Sequence, residues 1–211
     1  MMMMVSVSLR GHEAGPTPNA AWQRLKEGNA RFAADRPASK DLGTKRRAEL
    51  AQAQRPFAVV LACADSRVVP EVLFDQGLGD LFVVRVAGNI AAPSELASIQ
   101  YAVAYLHVPL VVVLGHEKCG AVQAAVESKP LPGQLGWLVK QIFPGKNPPP
   151  EKAAALEAAI RANALHQAIV LRQSPELKEL VASKRVQIVA GEYSLATGRV
   201  TWLEQPSTKR P

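Results

Sequence analysis

Two cysteines and one histidine carry the chemistry that this sequence offers. Cys63 and Cys119 are the only cysteines in the chain, and His116 stands three residues before the second. Thiolate and imidazole are donors that zinc prefers, and two sulfurs with one nitrogen leave a fourth tetrahedral position open. A spacing of three at a turn or helix start puts His116 and Cys119 on one side of the backbone. Taken singly, each has a plainer reading: a buried cysteine after a strand is usually packing, and the histidine of Gly115-His116 can cap a helix. Asp65 and Arg67 follow closely behind Cys63. An acid at that distance from a metal thiolate is either a fourth ligand or a hydrogen-bond acceptor for water at the metal, and an arginine beside it keeps it ionised through a bidentate pair. The plainer reading is a solvated loop ion pair, which is worth little.

These residues meet only if the elements before them run side by side. Phe57–Ala62, Leu81–Val84 and Leu110–Leu114 are short, continuous apolar runs. Such runs suit strands buried on both faces, hence a parallel sheet. Between the second and third, Pro93–Leu106 repeats Leu96, Ile99, Val103 and Leu106 at helical spacing, which is the pattern of a βαβ unit. Cys63 follows the first run and His116 and Cys119 follow the third. Ligands in open α/β sheets bind beyond the carboxyl ends of strands, where strand order switches. If the first and third strands are neighbours, the three side chains converge there.

The remaining elements fit one α/β domain. Residues 1–18 read as a loose tail. Asn19 is expected to cap a helix carrying Trp22, Leu25 and Phe32 on one stripe. This arm has few partners of its own and is expected to pack on a neighbouring subunit. A short helix is expected over 44–54. Residues 128–150, with six prolines, read as a long irregular excursion. Residues 151–173 read as a helix, Ser174-Pro175-Glu176 as the start of another, Val186–Ala190 as a fourth strand and Arg199–Leu203 as an antiparallel edge strand. The fold expected is a mostly parallel sheet of about four strands plus that edge strand, flanked by helices. The domain covers 19–205 and a second tail covers 206–211.

Composition narrows the function classes. With 48% hydrophobic and 20% charged residues over 211 positions, the chain is globular in balance. No apolar run reaches the roughly 20 residues that span a bilayer. The formal net charge is +7. The cations are scattered and aromatics are only 5%, so no stacking surface for nucleic acid is expected. The N-terminus lacks the charged region of a signal peptide, and two cysteines do not build a secreted disulfide scaffold. The cytoplasm is the expected location.

Three segments are similar to one family. Cys63-Ala64-Asp65-Ser66-Arg67-Val68, Arg85-Val86-Ala87-Gly88-Asn89 and Gly115-His116-Glu117-Lys118-Cys119-Gly120 resemble the β-class carbonic anhydrases, with the likeness running over roughly residues 20–127 and echoed in Gly191-Glu192-Tyr193. The resemblance implies an α/β fold and one zinc ion per subunit near a dimer interface, held by Cys63, His116 and Cys119. It implies a homodimer or a dimer of dimers, with carbon dioxide and bicarbonate as substrate and product. It implies that Asp65 and Arg67 form a dyad orienting the attacking hydroxide at the zinc, with Asp65 as fourth ligand in a closed state. Gln54 stands where the family often has a glutamine that contacts bicarbonate from the partner subunit. Phe82 and Tyr101 match apolar and aromatic pocket positions. Val60 replaces the tryptophan of members with an inhibitory bicarbonate pocket, so that pocket is not expected.

Other functions fit parts of the pattern. Carbonyl sulfide or carbon disulfide hydrolysis would use the same scaffold, and a non-catalytic zinc protein would use Asp65 to close the site. A Cys63–Cys119 redox pair is disfavoured by the wide sequence gap and the absence of Cys-x-x-Cys. Glu117 and Lys118 are expected to be solvated, and His12, His107 and His166 to have no catalytic part.

Overall fold

The computed structural model describes residues 15–203. Most of the expected N-terminal tail, including His12, and all of the C-terminal one lie outside the described residues. The sheet has five strands in the order β2-β1-β3-β4-β5: β1 Ala58–Ala62, β2 Leu81–Arg85, β3 Leu110–His116, β4 Gln187–Tyr193 and β5 Val200–Leu203. The first four are parallel and β5 runs antiparallel to β4. Every residue of β1 and β3 is buried, because helices cover both faces. Val59, Leu61, Val111 and Val113 point into one core with Ile99, Ala168 and Leu177. Ala58, Val60, Ala62, Val112 and Leu114 point into the other with Leu25, Leu73 and Phe74. The period of two along each strand thus feeds two cores from one apolar run.

Among the described residues eight α-helices surround the sheet: α1 Pro18–Ala33, α2 Thr44–Gln52, α3 Pro70–Leu73, α4 Pro93–Ala104, α5 Gly120–Glu127, α6 Gly133–Lys140, α7 Lys152–Gln173 and α8 Pro175–Ala182. Four departures from the sequence reading have physical causes. The cap of α1 is Thr17, whose hydroxyl accepts from the Ala20 N–H, so Pro18 and Asn19 lie inside the helix. Helix α1 docks on its own chain, with Ala21 and Leu25 fully buried in the second core and Gly28 pressed against the Phe74 carbonyl so closely that a Cβ would lie 1.8 Å from it. Helix α3 is a single turn, too short to leave a periodic signal. Helix α6 occupies the middle of the proline-rich excursion, starting after Pro132, where a missing N–H costs the helix nothing. Among the described residues no helix is long and apolar enough to cross a membrane.

The segment joining α1 to α2 is fastened by one buried acid. Asp75, with a side chain 3% exposed, binds the Arg31 guanidinium and the Lys40 ammonium at 2.5 Å each, and accepts from the Ala38 N–H. Burial alone would raise this carboxyl; the Lys40, Arg31 and Ala38 donors outweigh it and hold it below its ordinary value. A carboxylate depressed in the folded state stabilises above its unfolded pKa, and that contribution disappears as pH falls through the folded pKa. Asp75→Asn is expected to cost about 2–3 kcal/mol near pH 7. In thermal melts the gap to wild type should narrow as pH drops below about 4, and a gap independent of pH would contradict the assignment.

Candidate metal centre

Strand order places β1 between β2 and β3, so the switch in direction of the chain falls between β1 and β3. The register pairs Ala62 with Leu114, which sets Cys63, just past β1, beside the last residues of β3. His116 ends β3. The chain then turns through Lys118, at φ 53°, to Cys119, the residue that caps α5. The cluster expected from the sequence is therefore assembled: the ligand atoms of Cys63, His116 and Cys119 all lie within 4.8 Å of one another, and all three residues are buried. The wide sequence gap does not keep the sulfurs apart, since adjacent strands bridge it.

The donor set fits a tetrahedral metal ion. The two sulfurs are 4.0 Å apart. Two zinc–sulfur bonds of about 2.3 Å at a tetrahedral angle put their ends about 3.8 Å apart. A disulfide would need about 2.05 Å, and both cysteines are free thiols. His116 Nδ1 lies 2.8 Å from the Glu117 carbonyl oxygen. A carbonyl only accepts, so Nδ1 carries the proton and Nε2 presents a lone pair. That Nε2 is buried and has no hydrogen-bond partner, which is the expected state of a nitrogen aimed at a metal position.

The groups around the cluster move its two thiols in opposite directions. Cys63 is pulled well below the ordinary thiol range, chiefly by hydrogen bonding from Cys119, with the Gly88 N–H adding to it. Cys119 is pushed up, because it sits against that thiolate and is buried. Asp65 is gripped by Arg67: Oδ1 accepts from the Arg67 backbone N–H at 3.0 Å and from Nε at 2.9 Å, and Oδ2 from Nη2 at 2.7 Å. This pairing holds the carboxyl far below its usual range. Oδ2 lies 3.9 Å from His116 Nε2, beside the three-ligand group but not in it.

Several residues at the site gave no signal in the sequence as supports. Arg85 at the end of β2 donates to the Cys63 carbonyl at 3.1 Å and to the Asp65 carbonyl at 2.6 Å, which pins the loop carrying both. The Gly88 N–H points at Cys63 Sγ, 3.4 Å away. Glu117, expected to be solvated, instead accepts from the Leu195 N–H at 2.8 Å and ties the β3 end to the loop after β4. The Arg-Val-Ala-Gly-Asn segment named two of these three, without their roles.

The other candidate residues are not gathered here by the single chain. Gln54 is exposed before the amino end of β1, whereas Cys63 follows its carboxyl end. Phe82 packs against the core on the α4 side of the sheet, where its ring lies 6.3 Å from that of Tyr101. Tyr101 is 46% exposed and stacks on Tyr105. His166 stacks on Phe143, away from the ligand group.

Known proteins resemble this chain in sequence and fold. The family model described as carbonic anhydrase matches residues 58–200. A carbonic anhydrase of Mycolicibacterium smegmatis is 45% identical over 191 residues, which is 87% of this chain and 92% of the relative. The solved structure of the β-carbonic anhydrase CafA of Aspergillus fumigatus is similar with a TM-score of 0.67 at 26% identity, covering 89% of this chain and 92% of that one. One of two tetrameric β-carbonic anhydrases of Sordaria macrospora shares the fold with a TM-score of 0.68 at 24% identity, over 88% and 97% of the two chains. Likeness that runs from the first residue of β1 to the first of β5, through both halves of the sulfur–imidazole group, makes this chain a member of the β-class carbonic anhydrases, zinc enzymes that hydrate carbon dioxide.

Proposed function

We propose that Cys63 Sγ, His116 Nε2 and Cys119 Sγ hold the zinc ion, and that Asp65, steadied by Arg67, orients the oxygen that attacks carbon dioxide. The observation that carries this reading is the buried His116 Nε2, which has no partner in the chain and faces two sulfurs 4.0 Å apart. When bound, zinc supplies a Lewis acid that acidifies water, more weakly here than at a three-histidine site because two thiolates formally cancel its charge.

The chain's own residues do the rest. Arg67 occupies one side of both Asp65 oxygens, so the carboxylate stays ionised and accepts a hydrogen bond at Oδ2 rather than taking the proton. An attacking oxygen whose hydrogen is held at Oδ2 turns a lone pair toward the carbon of carbon dioxide. The new C–O bond gives bicarbonate, and the proton released in the cycle passes to solvent and buffer. Arg85 keeps this geometry by fixing the carbonyls of Cys63 and Asp65.

The pocket is completed by a second copy of the chain. Gln54 lies at the opposite end of β1 from Cys63, so the same chain cannot bring it to the metal. A homodimer or dimer of dimers in which Gln54 contacts bicarbonate across the interface satisfies this geometry, with Phe82 and Tyr101 lining the substrate pocket. Free thiols at the ligand positions support a reducing, cytoplasmic setting.

The decisive measurements pair metal analysis with carbon dioxide hydration rates. Wild type should carry one zinc per chain and run faster at about pH 9 than at about pH 6.5, as a weakly acidified site requires. Cys63→Ser and His116→Ala should lose zinc and activity together; full zinc in both would remove them as ligands. Asp65→Asn should keep its zinc and lose about 100-fold in rate, the scale on which a fixed electrostatic partner acts. Near-wild-type turnover would take Asp65 out of the reaction. If Gln54 acts across the interface, co-expressed Gln54→Ala and Asp65→Asn chains should recover about a quarter of wild-type activity, since half of randomly paired dimers hold one intact site of two. Activity no higher than the two separate variants would place Gln54 elsewhere.

A further inference from the structure

Helix α7 is rich in alanine and leucine, yet it buries two amides. Asn163 is fully buried and Gln167 nearly so. They sit one turn apart and bond to each other, with Gln167 Nε2 donating to Asn163 Oδ1 at 3.1 Å. Their remaining groups reach two separate loops. Asn163 Nδ2 donates to the Gly88 carbonyl at 2.8 Å, and Asn163 Oδ1 accepts from the Phe143 N–H at 3.1 Å. Gln167 Oε1 accepts from the Ala91 N–H at 2.9 Å, and its amide donates to the Gln141 carbonyl at 3.0 Å. Two buried amides therefore hold residues 88–91 and 141–143 together.

Both loops wall the sulfur of Cys63. The Gly88 N–H is the backbone donor to that sulfur. Gly88 has φ of 73°, and a Cβ there would lie 2.6 Å from Ile142 Cδ1. Ile142, flanked by the two loop groups that the amides grip, packs in the same small core as Cys63 and Cys119. The Gly88 N–H and carbonyl are linked through one residue's φ and ψ. Fixing the carbonyl against Asn163 and the α-carbon against Ile142 leaves the N–H a single direction.

We infer that Asn163, braced by Gln167, is a positioning residue that sets how strongly Cys63 donates to the metal, by holding the Gly88 N–H on its sulfur. This rests on Cys63 being a zinc ligand. An N–H directed at a thiolate draws charge from it, so the sulfur donates less and the metal stays a stronger Lewis acid. An uncharged amide pair can do this in a buried site at little electrostatic cost, because each polar atom it carries has a partner.

The test uses the full chain loaded with cobalt(II) or zinc. In Asn163→Ala the sulfur-to-cobalt charge-transfer band should move to longer wavelength, and zinc should dissociate about tenfold more slowly, because a sulfur relieved of its N–H partner donates more strongly. Asn29→Ala is the control. Asn29 is also a buried asparagine with three hydrogen bonds, to the Leu73 and Gly198 carbonyls and from the Val200 N–H, on the opposite side of the sheet. It should lower the melting temperature while leaving band and zinc release at wild-type values. A lowered melting temperature in Asn163→Ala with an unmoved band and unchanged zinc release would reduce Asn163 to a structural role. Equal band shifts in both variants would overturn the inference as well. If Asn163→Ala does not fold, Asn163→Ser, neutral and too short to reach the Gly88 carbonyl, is judged by the same two readouts. A wild-type cobalt protein with no sulfur band would instead refute Cys63 as a ligand, so the two failures are distinct.

Discussion

The metal centre depends on the register of one strand pair. With Ala62 opposite Leu114, Cys63 emerges on the same side of the sheet as the end of β3. A slip of one residue would turn every side chain of β1 to the other face. Val59 and Leu61 would then trade places with Ala58, Val60 and Ala62, and cores of different shape would each receive the wrong volumes. The apolar filling of both faces thus enforces the register, and the register delivers the sulfur. The chemistry at the strand ends is inherited from packing in the strand middles.

Charge at the site is balanced by more than the metal. Two sulfurs and the Asp65 carboxylate crowd a buried corner. Arg67 meets the carboxylate, while Arg85 spends its guanidinium on backbone carbonyls of the same loop. The two arginines divide the work: one fixes a charge and the other fixes the chain that carries it. Helix α7 supplies a third kind of support, dipoles without net charge, where an added cation would compete with the metal.

What could be read from the sequence followed from how locally it was encoded. The strands were legible because a run buried on both faces has no polar alternation to confuse it. Cys63, His116 and Cys119 were legible because few residue types bind zinc. The one-turn α3 and the proline-flanked α6 were not, since neither is long enough to show a period. The stripe on α1 announced a buried face that was expected to meet a neighbouring subunit, but Ala21 and Leu25 are covered by their own chain. Glu117 reads as a solvated position in sequence, and nothing there singles out Asn163 or Gln167. Their importance comes from contacts reaching 75, 76 and 78 positions along the chain, a distance at which composition carries no information.

The sulfurs are separated by 56 positions along the chain and by a single strand spacing across the sheet. An ion gripping both in an unfolded chain would first have to close that loop, an entropic cost the folded sheet has already met. The full donor set is assembled by the sheet itself, unlike that of small domains whose ligands sit a few residues apart and fold only around their ion. An ion held there would act as a latch on the fold, stabilising it by mass action. An apo chain would already have its sheet, with the latch waiting open.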